Sequence, residues 1–167
     1  SILSAYFYSE EGNFGFNNLY KISQFPAIDH FLRLGINLDD EAEVYKNFIK
    51  AQNLINEERK AKFFKTHSRL CQMYGSNFTD LKNTLGVIYI VRDPRNIITS
   101  IKNHYELGYD NALKWMTNEK QFVYDVEKVN EFGFSDFQFI SSWNMNYKSW
   151  KVQKKIPLKF VKYEDLL

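Results

Sequence analysis

Gly86-Val87-Ile88-Tyr89-Ile90-Val91-Arg92-Asp93-Pro94-Arg95-Asn96-Ile97-Ile98-Thr99-Ser100 is the stretch that decides the fold. Its first part is a continuous, mostly β-branched run, the pattern of a strand covered on both faces in a parallel sheet. Asp93-Pro94 then starts a helix, since Asp is a good N-cap and Pro suits the first helical position. The pattern predicts that this helix reaches about Leu107 and stops at Gly108. The carboxyl ends of parallel strands are where α/β folds bind ligands. Arg92 stands at such an end, beside the free N–H groups of a helix start, an arrangement suited to a phosphate. Ser100 follows eight residues later, about two turns into the helix. A guanidinium fork and a hydroxyl together can hold a phosphate dianion. Alternatively, Arg92 pairs with a carboxylate at the sheet edge and Ser100 is merely solvated.

Upstream, Phe63-Phe64 with Lys65-Thr66-His67 reads as a short strand running out into a loop. Lys65 and His67 lie two residues apart and so point to the same side of a strand. Such a pair can serve as electrophilic stabiliser and general base. A surface lysine and a hydrogen-bonded loop histidine would use the same letters. His30 and His104 have no such setting and read as structural or solvent-exposed. Residues 9–26, rich in Asn, Gly and Ser around aromatics, read as a loop with short helical turns. Asp39-Asp40 then precede a helical pattern running to about Lys60. In it Val44, Phe48, Ala51 and Ile55 share one face, and the acidic residues favour its N-terminus. Downstream, residues 111–130 and 137–153 read as helices and Leu158–Lys162 as a third strand. Strands alternating with helices predict an α/β fold with a parallel sheet.

The 167 residues favour one domain of ordinary size. Hydrophobic residues at 44% and charged residues at 25% exclude disorder, and 17% aromatics predict a bulky core. Only 7 Gly and 3 Pro exclude collagen-like and low-complexity classes. The 22 basic residues are offset by 20 acidic ones, which argues against nucleic-acid binding. A single cysteine, Cys71, excludes an internal disulfide and a Cys-rich zinc site, and a reducing compartment is the simpler reading. No run approaches the roughly 18 apolar residues of a membrane span. Residues 1–8 read as the continuation of a helix, and residues 160–167 stop as a strand hands over to a helix. Both ends predict a fragment.

Taken in order, three segments resemble the sulfotransferase family that uses 3′-phosphoadenosine-5′-phosphosulfate (PAPS). Phe64-Lys65-Thr66-His67 is similar to the family's catalytic Lys-Thr-His segment. Tyr89 through Ser100 is similar to its 3′-phosphate motif, including the Arg-to-Ser interval of eight. Phe160-Val161-Lys162-Tyr163-Glu164-Asp165-Leu166 is similar to its strand ending in Tyr-Glu-Asp, and the preceding helix with Trp143 and Trp150 to its Trp-bearing helix. Residues 9–60 and 105–139 carry no motif of the family.

The resemblance implies a three-layer α/β/α domain of P-loop NTPase-like type with a central parallel sheet. It implies that Arg92 and Ser100 bind the 3′-phosphate of PAPS, with Tyr163 lining the nucleotide pocket. His67 would take the proton of a hydroxyl or amine acceptor, and Lys65 would stabilise charge on the transferring group or the leaving phosphate. Glu164 and Asp165 would cap and pack, and Trp143 and Trp150 would belong to the core. No metal is implied, and the carboxylates are not clustered as magnesium ligands would be. The acceptor would be a small molecule, a carbohydrate or a peptide hydroxyl. A cytoplasmic location fits the single cysteine, and a luminal enzyme with its N-terminal anchor lost is the alternative.

One departure stands against these matches. The family's Gly/Ser/Thr-containing loop for the 5′-phosphosulfate has no counterpart, and no Gly-x-x-x-x-Gly-Lys-Ser/Thr occurs. Gly12 and Gly15, followed by Phe16-Asn17-Asn18, cannot replace it. The expectation is a single sulfotransferase-like domain over residues 1–167, lacking its first strand and inactive in isolation. Two other functions remain open. A non-catalytic nucleotide-binding or interaction domain would keep Arg92 and Ser100 without depending on Lys65 or His67. A nucleotide kinase-like phosphoryl transferase would add a magnesium-binding acid at a strand end.

Overall fold

In the computed structural model, which describes residues 2–9 and 15–166, a short aromatic helix, α1 (Ile2–Tyr8), comes first. Gly12 lies outside the described residues. A 3₁₀ turn at Phe16–Lys21 leads to β1 (Ser23–Gln24), inside the stretch the sequence reads as loop. Pairing creates this strand. β1 runs parallel to β2 (Phe64–Lys65), with Ser23 opposite Phe64 and Gln24 opposite Lys65.

Asp40 caps the next helix by accepting from the Ala42 and Glu43 amides. The single helix expected to reach Lys60 is two, α2 (Glu41–Lys46) and α3 (Phe48–Ile55), followed by a 3₁₀ turn at Asn56–Glu58. Asn47 makes the break, at φ −98° and ψ 5°. Its side chain donates to the Glu43 carbonyl at 2.8 Å, the local competition with the helix ladder typical of Asn. β3 (Gln72–Met73) and β4 (Ser76–Asn77) form an antiparallel hairpin. Its two-residue turn, Tyr74-Gly75, has positive φ at both positions, the geometry that matches hairpin twist.

β5 (Val87–Val91) passes into α4 (Pro94–His104) over Asp93, whose carboxylate accepts from the Arg95 amide at 2.9 Å. α4 stops short of the expected Leu107, because Glu106 adopts a left-handed φ of 53°. Gly108 instead starts α5 (Tyr109–Thr117). The helix expected over residues 111–130 is interrupted by β6 (Phe122–Val123) before α6 (Val126–Phe132). The helix expected over residues 137–153 gives way first to β7 (Gln138–Phe139), antiparallel to β6, and begins only with α7 (Trp143–Val152). Aromatic pairing and β-favouring residues act together here. The Phe122 ring sits 4.6 Å from Phe137 and 4.7 Å from Phe139. β8 (Leu158–Lys162) falls on the expected residues and pairs parallel with the whole of β5, from Val87 opposite Leu158 to Val91 opposite Lys162.

The α/β character expected from the sequence is present. By their hydrogen bonds the described strands pair two by two, with β1–β2 and β5–β8 parallel and the other two pairs antiparallel. β5 is also covered on one face only. Val87 and Tyr89 pack inward, whereas Ile88 and Ile90 are 44% and 50% exposed. α7 provides the covering face, its Tyr147 ring lying 5.4 Å from Phe160 and 6.2 Å from Tyr89.

The core is aromatic, as the composition predicts. Phe48 is its centre, with Phe25 at 5.3 Å, Tyr45 stacked at 4.5 Å and Phe78 at 5.9 Å. Val44 and Ala51, from the predicted helical face, are buried beside it. Trp150 of α7 closes the cluster edge-on to Phe78. Cys71 is free and half-buried, its sulfur 3.5 Å from the Tyr45 hydroxyl.

Candidate functional site

Arg92 leaves the carboxyl end of β5 half-buried. Its guanidinium lies over the Tyr163 ring, 4.7 Å from the centroid. Its Nε is buried without a hydrogen bond, and it makes no ion pair among the described residues. The neighbouring Asp93 is paired with a second arginine. Arg95 grips the Asp93 carboxylate with its Nη2 at 2.5 Å and its Nε at 3.0 and 3.2 Å. That grip holds the Asp93 carboxyl down to about 2. The other nearby carboxylate, Glu164, accepts from the Asp93 amide at 3.5 Å. The pairing of Arg92 with an edge carboxylate, one of the two sequence readings, is therefore not formed. A fixed guanidinium with unspent donors on an aromatic face can receive an anion. Ser100 lies exposed on α4 with no hydrogen-bond partner among the described residues.

The second candidate segment lies beyond β2. Lys65 is exposed at the end of that strand. The next residues have little strand ladder of their own, and side chains from elsewhere satisfy them. Gln138 Oε1 accepts from the His67 amide at 2.7 Å, and Asn146 Nδ2 donates to the His67 carbonyl at 3.0 Å. Trp150 Nε1 donates to the Ser68 carbonyl at 3.2 Å, and the Leu70 amide donates to Ser149 Oγ at 3.0 Å. His67 keeps an open side, yet enough protein surrounds the ring to lower its pKa below 6.5, with the Lys65 charge acting in the same direction. A neutral imidazole at pH 7 can accept a proton.

The remaining candidates divide by setting. His30 is structural. Its Nδ1 accepts from the Ala27 amide at 3.1 Å, and its ring packs 5.2 Å from Phe25. His104 is exposed, edge-on to Tyr105. Trp150 is core, at 3% exposure, and Trp143 stacks on Tyr147.

Thus the structure joins Arg92 to Tyr163 and sets Lys65 within charge range of His67, while Ser100 lies exposed on α4. Reading by motif misses Gln138 and Asn146, the two residues that hold the His67 backbone. Gln138 sits in a stretch without a motif, and no sequence signal marks it. Asn146 could have been found from the polar and aromatic face it shares with Ser149 and Trp150 on one helix.

Among the described residues no cluster of His, Cys, Asp or Glu could hold a metal ion. No described helix is long and apolar enough to cross a membrane. No curated protein and no solved structure matches the chain. The family model for the sulfotransferase domain matches residues 12–167. That span contains the Lys65–His67 segment, the Arg92 strand end and Tyr163, so the chain belongs to the sulfotransferase domain family.

Proposed function

We propose that this domain is part of an enzyme that transfers a sulfuryl group from PAPS to a hydroxyl or amine acceptor, with His67 as general base. The observation that carries this reading is Arg92, an unpaired guanidinium with a buried, unspent Nε on the Tyr163 ring. Its charge, fork geometry and aromatic backing suit the 3′-phosphate of the donor. Bound PAPS supplies an activated sulfuryl group on a phosphate leaving group. Arg92 and Ser100 hold the 3′-phosphate, and Tyr163 lines the nucleotide pocket. The His67 ring makes no hydrogen bond among the described residues, so a ring nitrogen is open to take the acceptor's proton. Lys65 places positive charge where negative charge develops. No metal enters this scheme. The acceptor is a small molecule, a carbohydrate or a peptide hydroxyl.

The same reading makes residues 1–167 one sulfotransferase domain, with the two parallel strand pairs as parts of a single central sheet in a three-layer, P-loop-like fold. The free Cys71 goes with a reducing, cytoplasmic setting.

Calorimetric titration of adenosine 3′,5′-bisphosphate, the desulfated donor, into the chain tests the proposal. Binding is expected, weakened by at least about 10-fold in Arg92→Ala, in line with a lost charged hydrogen bond. Arg95→Ala should stay within about twofold, because that side chain is spent on Asp93. Absence of binding, or equal binding by wild type and Arg92→Ala, overturns it.

A further inference from the structure

We propose that Asn146 is a positioning residue that locks the His67 segment to the strand leading to Arg92. The inference rests on the reading of His67 as the base.

Five backbone groups between His67 and Leu70 are met by side chains, and α7 supplies three of these through Asn146, Ser149 and Trp150. Their i, i+3, i+4 spacing puts them on one face of the helix. Asn146 differs from the other two in reaching a further element. Its Nδ2 donates to the His67 carbonyl at 3.0 Å and to the Ile140 carbonyl at 2.9 Å. Its Oδ1 accepts from the Tyr89 hydroxyl at 3.0 Å. Tyr89 lies on β5, three residues before Arg92. One amide therefore spans the base-bearing segment and the strand whose end carries the anion-binding candidate.

The chemistry of that position is narrow. Asn146 is 8% exposed, so its own amide has little access to water. An amide offers two donors and an acceptor in one small group. Aspartate would set a carboxylate against two carbonyls, and alanine would leave three polar groups without their partner. Further anchoring comes from Asn146's own backbone. Its carbonyl accepts from Ser149 Oγ at 2.7 Å, the same oxygen that receives the Leu70 amide. Among charged groups Lys65 acts on the His67 ring, while the side chains bonded to the segment from β7 and α7 are uncharged. Loosening the clasp therefore alters the placement and hydration of the ring without adding or removing a charge.

The test follows His67 by NMR titration of its ring protons in the full chain, beside calorimetry with adenosine 3′,5′-bisphosphate. Asn146→Ala removes the whole clasp, and Tyr89→Phe removes only its strand end. In the wild type the midpoint should lie below 6.5. Asn146→Ala should move it up toward the ordinary value, and Tyr89→Phe should move it the same way by less. Nucleotide affinity should stay within about twofold in both, since Arg92 is untouched. Unchanged midpoints in both variants overturn the proposal. Should Asn146→Ala fail to fold, Tyr89→Phe decides, and an unchanged midpoint there overturns it. If no form binds the nucleotide, the donor reading fails, while the His67 midpoints still decide the role of Asn146, with folding judged from the thermal transition.

Discussion

Arg92 and Arg95 are the same side chain three positions apart with opposite fates. Arg95 spends its fork on Asp93 in solvent, whereas Arg92 lies half-buried on Tyr163 with its Nε unpaired. His67 is set by its surroundings in the same way. Burial and then the Lys65 charge lower its pKa in the folded protein. Stability from a neutral buried imidazole is complete above the unfolded value of about 6.5 and is lost as pH falls toward the folded value. His30, lowered by burial, acts in the same sense. Lys65→Ala should raise the His67 midpoint, read by NMR, because it removes a repelling cation. With a 5′-phosphosulfate loop present, His67→Ala should lower turnover by about 10²- to 10⁴-fold and leave nucleotide affinity within about twofold. The wild-type pH profile should fall on the acid side below about 6.5. Turnover independent of His67 would assign the base elsewhere.

Among the elements, those with local signals form where their residues predict them. Asp40 and Asp93 cap α2 and α4, and β8 falls on its expected residues. Asp40→Ala should cost about 1 kcal/mol of stability in chemical denaturation. Other boundaries depend on neighbours distant in sequence. α6 ends at Gly133, whose φ is +66° and whose position leaves no room for a side chain. A Cβ there would lie 2.2 Å from the Leu38 carbonyl oxygen, which also accepts from the Phe134 amide at 2.8 Å. Gly133→Ala should therefore cost more than about 1 kcal/mol, and a neutral effect in the same denaturation series would contradict this close approach. Phe122-Val123-Tyr124 and Phe137-Gln138-Phe139-Ile140 carry the aromatic and β-branched residues that strands favour, a signal too short to outweigh the helical reading of the flanking residues. β6 and β7 are two residues long and exist through each other, so a window over either one reads as helix.

At the scale of the whole molecule, the aromatic cluster around Phe48 carries the fold. Phe48 is 2% exposed and meets rings from segments on both sides of it in sequence. Phe48→Ala should destabilise the protein by about 3–5 kcal/mol, measured by denaturant unfolding. The same cluster ends at Trp150, whose indole N–H holds the Ser68 carbonyl, so core packing and site geometry share one helix. By itself the sequence determined what local chemistry determines: the apolar β5 and β8 runs, the Asp caps, the bulky core, and the order of three motifs that marks the family. Tertiary structure alone decided which arginine stays unpaired, that one face of β5 stays open, and that Gln138 and Asn146 hold His67 from 71 and 79 residues away. The reason is physical. A cap or an apolar period is satisfied within a few neighbouring residues, whereas a buried amide or an unpaired guanidinium is defined by partners that only chain closure brings near.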